Sequence, residues 1–159
     1  MLASTLCADA TALRWQETPL PMSYRRLNTI DVVDKETAWA GGRDGLLLRY
    51  DGSRWTRVDA PLRGDVIAIE MTGRSDGWVA TYEIDTQQSW LNRFDGQRWL
   101  RHPLPLDLKI TALAFTPPHD LWVAVRGGRV LRFDGATWHE PPPPENHTLN
   151  ALVRRPGTD

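Results

Sequence analysis

The sequence predicts an all-β protein made of tandem units, each with four short antiparallel strands. The first observation is an aromatic-Asp-Gly-x-x-Trp motif with spacings of 44 and 39 residues, ending at Trp55, Trp99 and Trp138. The second is another tryptophan in each unit, at Trp39, Trp78 and Trp122. The third is the distribution of turn-forming residues: 12 Pro and 12 Gly are spread along the chain, and no stretch shows the apolar period of a helix. A repeat of this length without helical periodicity indicates a repeated β architecture.

Each unit is predicted to begin with two strands. The first is an apolar run, found at residues 30–33, 66–71 and 110–115. It contains or adjoins a small residue, Thr29, Ala68 or Ala112, which suggests close backbone approach at a crowded axis. The second strand carries the unit's first tryptophan, and paired glycines follow at residues 41–42 and 127–128. We expect these glycines to form the turn that leads to the third strand.

The third and fourth strands are predicted to form a hairpin around each Asp-Gly pair. In the first unit the partners are residues 46–50 and 54–58. Asp-Gly between apolar runs favours a two-residue type I′ turn, which needs positive φ at both central residues. The second unit has five additional residues near positions 82–88, where a polar stretch separates two apolar runs. The second unit therefore contains an insertion in its hairpin.

Units of four antiparallel strands that repeat every 40 to 45 residues or so are typical of β-propeller blades. The three units span about residues 27–61, 66–105 and 110–144. Residues 13–21 are similar to the outer strand of a unit, and residues 149–153 to an inner strand. We therefore predict a partial propeller over residues 12–153, with about three full blades and a terminal strand at each end. Residues 1–11 and 154–159 are predicted to be tails.

The order of the motifs also resembles known repeats. It runs through an apolar strand, Asp-x-Trp-Val-Ala, Gly-Gly and Leu-x-Arg-Phe-Asp-Gly-x-x-Trp, and residues 110–138 match it best. It resembles the bacterial propeller repeats of two-component-regulator sensor domains. It is similar as well to the broader WD40/YVTN/BNR-like and photosystem II assembly factor-like propellers. The resemblance covers nearly the whole chain and implies the fold, while such propellers serve many functions. The Asp-Gly-x-x-Trp spacing departs from the Asp box of sialidases, which argues against glycosidase chemistry.

The number of blades leaves three alternatives, because closed propellers have about four to eight. The two terminal strands come together as a thin fourth blade, or two copies of the chain close one ring as a homo-oligomer. In the third alternative, additional blades belong to a longer chain. An open stack of blades exposes apolar faces, and large exposed apolar faces mark an interface or an aggregation hazard.

Charge and composition exclude several classes of partner. The chain has 19 basic and 20 acidic residues, so no net field favours nucleic acid or an anionic membrane. Cys7 is the one cysteine, which excludes an intrachain disulfide and a cysteine metal site. No apolar run is long enough for a membrane span. The first ten residues lack the basic start of an export signal. We expect a soluble protein and leave cytoplasm and periplasm open.

The polar residues show none of the spacings of a catalytic or metal centre. The repeated arginines and aspartates are equivalent in all units, as structural residues would be: Arg49, Arg93, Arg132, Asp51, Asp95 and Asp134. The repeated tryptophans are predicted to pack between blades. The four histidines form no i,i+4 pair, and the sequence has no nucleophile elbow or phosphate-binding glycine motif. We therefore predict a protein that is not an enzyme and that uses no cofactor or metal.

The candidate binding residues lie in the segments that do not repeat, because loops on a rigid scaffold carry function. The insertion and the connections between units supply Arg63, Asp65, Tyr82, Glu83, Asp85, Trp90, Asp107, Lys109 and His147. We predict a non-catalytic binding, sensor or assembly module that recognises a protein or a small ligand. One alternative is a propeller-type hydrolase or lyase, in which Asp65, Asp107, Glu145 and His147 converge. The other is a structural segment of a larger propeller.

Overall fold

The computed structural model of the chain describes residues 26–105, 107–142 and 152. These residues form three four-stranded antiparallel sheets and contain no helix. The first sheet, blade 1, consists of β1 (Leu27–Asp34), β2 (Thr37–Gly42), β3 (Leu47–Tyr50) and β4 (Trp55–Arg57). Blade 2 consists of β5 (Asp65–Met71), β6 (Gly77–Glu83), β7 (Gln88–Phe94) and β8 (Trp99–His102). Blade 3 consists of β9 (Ile110–Thr116), β10 (Asp120–Val125), β11 (Val130–Phe133) and β12 (Trp138–His139). The predicted all-β class, with blades of four antiparallel strands, is confirmed.

Each blade is a meander, in which every strand pairs with the strand that follows it along the chain. The register is the same in the three blades: Trp39, Trp78 and Trp122 stand opposite Arg49, Arg93 and Arg132 on the third strand. The repeat seen in the sequence is therefore a repeat of strand register. The predicted terminal strands and tails lie outside the described residues, apart from Leu152.

The repeated tryptophans join successive blades. Trp39 of blade 1 is 1% exposed, and its ring centre lies 6.4 Å from those of Phe94 and Trp99 in blade 2. Trp78 of blade 2 is equally buried and lies 6.1 Å from Phe115 in blade 3. Tilted and edge-to-face rings at these distances stabilise a contact beyond the area that they bury. The predicted packing role is confirmed for both tryptophans.

The repeated arginines support these tryptophans from their own blades. The guanidinium carbons of Arg49, Arg93 and Arg132 lie 5.9, 5.5 and 5.3 Å from the centres of the opposite tryptophan rings. Arg93 also pairs with Asp76 at 3.3 Å, and Arg132 pairs with Asp120 at 2.6 Å. A cation over a tryptophan face is attracted by the ring quadrupole. The equivalent contacts in every blade agree with a structural role for these arginines.

The predicted type I′ turns at Asp-Gly are wrong. The Asp51 N–H donates to the Arg54 C=O at 3.3 Å, so the hairpin loop has four residues, and the glycine alone has positive φ, 96° at Gly52. Asp51 Oδ1 accepts hydrogen bonds at 3.0 Å from the backbone N–H groups of Ser53 and Arg54. Asp95 and Asp134 accept equivalent bonds in the other blades. The aspartate is favoured at this position because its carboxylate accepts hydrogen bonds from backbone N–H groups of its own loop.

The paired glycines at residues 41–42 also differ from the prediction, since they belong to β2 and the turn follows at residues 43–45. Gly41 is required by packing. A Cβ atom there would collide with the side chain of Val66 in blade 2 and would lie 3.1 Å from Ile69 Cδ1. The glycines at residues 127–128 do lie in a turn, with φ of 94° and 80°. Only this second pair is explained by backbone conformation.

The insertion in the second unit lengthens one hairpin. β6 and β7 each have seven residues, whereas β3 and β11 have four. Residues 84–87 form the turn, and Gln87 has a φ of 57°. The additional residues therefore extend blade 2 at one end and leave the pairing of its other strands unchanged.

Candidate binding site

The connections between blades and the turns after each second strand lie on one face, here called the loop face. It is formed by residues 43–45, 63–65, 84–87, 107–109 and 126–129. The Gly45 N–H donates to the Gly64 C=O at 2.7 Å, and the Arg126 N–H donates to the Lys109 C=O at 2.7 Å. These bonds tie each connection to a turn of an adjacent blade. The loop face is thus held by backbone hydrogen bonds as well as by the strands beneath it.

The structure brings three of the predicted binding residues together on the loop face. Asp65 stands opposite Tyr82 in the register of β5 and β6. Lys109 Nζ lies 4.1 Å from the centre of the Tyr82 ring. Asp65 Oδ1 accepts a hydrogen bond at 3.1 Å from the Asp44 N–H. Tyr82 therefore contacts Lys109 and stands opposite Asp65, whose carboxylate is bonded to the turn of blade 1, and these three residues are called the cluster around Tyr82.

The other predicted residues of the loops are placed less closely. Arg63 and Asp85 are exposed at the connection and at the tip of the long hairpin. Glu83 ends β6, and its Oε2 accepts a hydrogen bond at 3.0 Å from the Thr86 hydroxyl. Glu83 therefore stabilises the hairpin turn. His147 lies outside the described residues.

Trp90 lies in β7 and borders a cleft of about 420 Å³. The guanidinium carbon of Arg101 stands 3.8 Å from the centre of its ring. Trp90 is half-buried, and its Nε1 atom is buried without a hydrogen-bond partner among the described residues. The cleft is lined by Ser89, Trp90, Arg101, His102, Pro103, Leu104 and Asp107. Two of the predicted residues, Trp90 and Asp107, thus share one concave surface.

β8 pairs with only part of β7 beside this cleft. β8 ends at His102, which stands opposite Leu91, so the outer strand stops before it reaches Ser89. The Asp95 N–H donates to the Arg98 C=O across the same pair of strands. Because backbone groups alternate along a strand, the odd-numbered residues of β7 point toward β8. The N–H and C=O of Ser89 therefore point to the β8 side of β7, at a position that β8 does not reach.

Ser89, Arg101 and His102 are residues of the cleft that the sequence did not single out. The Ser89 hydroxyl accepts a hydrogen bond at 3.0 Å from the Ile110 N–H, which fixes the start of β9 against the long hairpin. Arg101 is one of many arginines in the chain, and nothing in its spacing separates it from the others. The lengthened β6–β7 hairpin was the available signal, because β8 pairs with only four of the seven residues of β7.

The opposite face of the blades carries the Asp-Gly loops. The Ser53 hydroxyl and the backbone N–H groups of Arg54 and Ser53 lower the pKa of Asp51 to about 2. Backbone N–H groups likewise lower the pKa of Asp95 and of Asp134. These carboxylates are ionised and occupied by their own loops. The repeated aspartates therefore fit the structural role that their equivalence predicted.

His102 connects the cleft to the core. Its ring centre lies 4.5 Å from that of Phe133 and 5.3 Å from that of Trp78. It lines both the Trp90 cleft and a second cleft of about 450 Å³ beside Trp138. Burial lowers the pKa of His102, and the hydrogen bond to the Pro103 carbonyl opposes this shift only in part. The contact between blades 2 and 3 therefore favours the neutral imidazole of His102.

The free energy of unfolding is expected to fall as the pH drops below 6.5, the ordinary pKa of His102. The pKa of His102 is lower in the folded chain, so as the pH falls His102 is protonated first in the unfolded chain. This protonation stabilises the unfolded state, and the resulting loss of folding stability is complete once the pH is below the folded pKa. Urea unfolding at about pH 7.5 and about pH 5.5 measures this loss. His102→Gln is the comparison, and its stability should change less over the same interval. An equal change in both proteins would contradict this role for His102.

Among residues 26–105, 107–142 and 152, no three His, Cys, Asp or Glu side chains are grouped closely enough to hold a metal ion. Asp65 and Asp107 occupy separate places, one in the cluster around Tyr82 and one in the Trp90 cleft. Glu145 and His147 lie outside the described residues. The same described part of the chain has no helix that would be long and apolar enough to cross a bilayer.

Comparison with known proteins decides the fold. No protein-family model matches the sequence, and no curated protein is similar to it. Among solved structures, a chain titled "YCF48 bound to D1 peptide" superposes with a TM-score of 0.60 over 72% of this chain, at 17% identity. The blades belong to a β-propeller fold. This chain covers 39% of the YCF48 chain, and at this identity the similarity extends to the fold alone.

Proposed function

We propose that this propeller is a non-catalytic binding module that holds an extended segment of a partner protein on its loop face. The observation that carries the proposal is the edge of β7 at Ser89, which β8 does not pair with and which borders the cleft of Trp90 and Arg101. A rigid blade with an open edge and a cleft beside it suits an extended chain better than a compact ligand. The part of the partner that binds would continue the sheet where β8 stops.

An extended peptide at this edge would bind by strand addition. Its backbone would exchange hydrogen bonds with the N–H and C=O of Ser89, while alternate side chains enter the cleft. Trp90 and Leu104 offer apolar contact, and Arg101 and Asp107 offer opposite charges. Backbone bonds supply affinity that is independent of sequence, and the two charges set the direction of the peptide. The cluster around Tyr82 would contact residues beyond the cleft.

The solved structure with a similar fold supports a protein ligand. Its title names YCF48 with a bound D1 peptide, so a chain with this fold accommodates a peptide. A role as a sensor or as an assembly module remains part of the proposal. The hydrolase alternative needs Asp65 and Asp107 to act together, and their separate surroundings favour binding over catalysis.

Removal of the cleft charge is expected to weaken peptide binding by about tenfold or more, since one hydrogen-bonded charge contributes at this level. The probe is a peptide selected on the wild-type chain from a library of random linear peptides. Binding is measured by calorimetry for wild type, Arg101→Ala and Trp90→Ala. Arg98→Ala is the matched control, because Arg98 is an exposed arginine of the same blade on the opposite face.

The strand-addition mode has its own measurement. Methylation of single backbone nitrogens of the selected peptide should abolish binding at the one position that pairs with Ser89 and leave it nearly unchanged at the neighbouring positions. Peptides that tolerate methylation everywhere, or that lose affinity with Arg98→Ala and not with Arg101→Ala, would refute a site at the edge of β7. Circular dichroism confirms that each variant remains folded before its affinity is compared.

A further inference from the structure

The register of blade 2 places Arg101 on the face of the sheet that packs against blade 1. Val79 belongs to the cluster that contains Trp39 of blade 1, and Asn92 stands opposite Val79 in the register of β6 and β7. Arg101 of β8 in turn stands opposite Asn92. Because residues that stand opposite each other in neighbouring strands have their side chains on the same face of the sheet, all three share the blade 1 face.

The side chains of Trp90 and Ser89 lie on different faces of the same sheet. Trp90 precedes Asn92 by two residues and so shares its face, and the guanidinium carbon of Arg101 lies 3.8 Å from the centre of the Trp90 ring. Ser89 has the opposite face, where its hydroxyl accepts a hydrogen bond from the Ile110 N–H of blade 3. The cation of the cleft therefore lies on one side of the β7 edge and the Ser89 hydroxyl on the other.

Arg101 has the chemistry to bind a carboxylate. A guanidinium carries five N–H donors in one plane, and this geometry matches the two oxygens of a carboxylate. In the described part of the chain, Arg93, Arg129 and Arg132 each bind a carboxylate, whereas Arg101 takes part in no ion pair there. The contact with the Trp90 ring orders the Arg101 side chain, which lowers the entropic cost of binding a further group.

We propose that the bound segment of the partner carries an acidic side chain, aspartate or glutamate, immediately next to the residue that pairs with Ser89. This proposal rests on the proposed function, because it requires strand addition at β7. In an added strand, the residue opposite Ser89 has its side chain on the Ser89 face, and both of its neighbours lie on the face of Trp90 and Arg101. The nearest position from which a carboxylate can pair with Arg101 is therefore a direct neighbour of that residue.

The side on which the acidic neighbour lies reports the direction of the bound segment. β8 runs antiparallel to β7 and ends at His102, which stands opposite Leu91. A segment that continues β8 in the same direction passes Trp90 before Ser89, so its acidic residue precedes the residue that pairs with Ser89. In a segment that runs parallel to β7, the acidic residue follows it. Either neighbour supports a carboxylate on the face of Arg101.

The peptide selected on the wild-type chain is the probe. It is synthesised with both termini blocked, so that side chains supply all of its carboxylates. Each acidic residue is replaced in turn by its amide, and binding to the full chain is measured by calorimetry. One replacement should weaken binding by about tenfold or more, as for the loss of a charged hydrogen bond. The replaced residue should be adjacent to the position at which backbone methylation abolishes binding.

A double-mutant cycle links this acidic residue to Arg101. In Arg101→Gln, the same amide replacement should weaken binding by less than about twofold, because its charged partner is already absent. Arg98→Gln is the matched control, because Arg98 is an exposed arginine of blade 2 in the Asp-Gly loop. The amide replacement should keep its full effect in the control. Arg101 is exposed, and circular dichroism confirms that both variants remain folded.

Three outcomes would contradict the inference and leave the proposed function intact. A peptide that depends on backbone methylation and on Trp90, yet binds equally well without its acidic side chains, would show the site without a carboxylate. An essential acidic residue two positions from the methylation-sensitive one would lie on the Ser89 face. An amide replacement with the same effect in Arg101→Gln would assign the carboxylate to another cation. Tolerance of methylation at every position would contradict the proposed function itself, and the inference with it.

Discussion

Replacement of Trp78 by alanine is expected to lower the free energy of unfolding by about 3 to 5 kcal/mol, the range for large aromatic residues in a core. Trp78 is 1% exposed, and its ring lies between Phe115, Phe133 and His102, at 6.1, 6.4 and 5.3 Å. Truncation would open a cavity at the contact between blades 2 and 3. This loss is a large fraction of the about 5 to 15 kcal/mol by which a typical domain is stable.

The loss should come from packing. Trp78 Nε1 is buried without a hydrogen-bond partner among the described residues, whereas Trp39 Nε1 donates to the Gly73 C=O at 3.2 Å. Trp78→Phe removes the unpaired N–H and keeps much of the ring, so it should cost clearly less than Trp78→Ala. The corresponding change at Trp39 would also lose a hydrogen bond. This difference separates the two tryptophans although their sequence motifs are equivalent.

Urea unfolding measures these changes, with Trp122→Ala as the matched comparison. Trp122 occupies the same repeat position but is half-buried, so its truncation should cost appreciably less than that of Trp78. If the two truncations cost the same, burial between blades would not be the origin of the effect.

Gly41→Ala is expected to destabilise the chain by about 1 to 3 kcal/mol, the usual cost of an additional methyl in a filled core. The new Cβ would lie 3.1 Å from Ile69 Cδ1 and would overlap the side chain of Val66, which is fully buried. Blades 1 and 2 would have to separate locally to admit it. The effect is steric, because the backbone of Gly41 is ordinary strand.

Gly73→Ala is the control for this prediction, because no atom lies within 4 Å of a Cβ built at Gly73. Its effect should stay within about 0.5 kcal/mol, as for surface substitutions. Val66→Ala supplies a second check, since it makes room for the methyl group. The cost of Gly41→Ala should shrink in that background by about 1 kcal/mol or more, as expected for residues in contact. An unchanged cost would place the strain elsewhere.

The strand content and the order of strands were predictable because they depend on local patterns. Apolar runs, the tryptophan at a constant position and the Asp-Gly pair each describe a few neighbouring residues, and together they placed all twelve described strands. The geometry of the Asp-Gly loops was not predictable from the dipeptide alone. The carboxylate of Asp51 bonds to backbone N–H groups two and three residues later and selects a four-residue loop over a type I′ turn.

The candidate site was predictable in part. The insertion and the connections contained Tyr82, Lys109 and Trp90, all of which the structure places at or beside the loop face. The sequence did not indicate Ser89 or Arg101. Their place in the candidate site follows from the pairing of β7 and β8, in which Ser89 has no partner residue on β8 and Arg101 lies over Trp90. The register depends on both paired strands, so it cannot be predicted from either residue alone.

The sequence by itself determined the repeat, the four-stranded unit and the place of the insertion, because each depends on short-range chemistry that recurs in every blade. Only the tertiary structure decided how residues at equivalent repeat positions differ in burial. Ile30 and Ile69 occupy the same repeat position, yet one is 62% exposed and the other 5%. Gly41 is needed because Val66 approaches it from the next blade. Burial is a property of what lies opposite a residue, and in a stack of blades that neighbour belongs to another unit of the repeat.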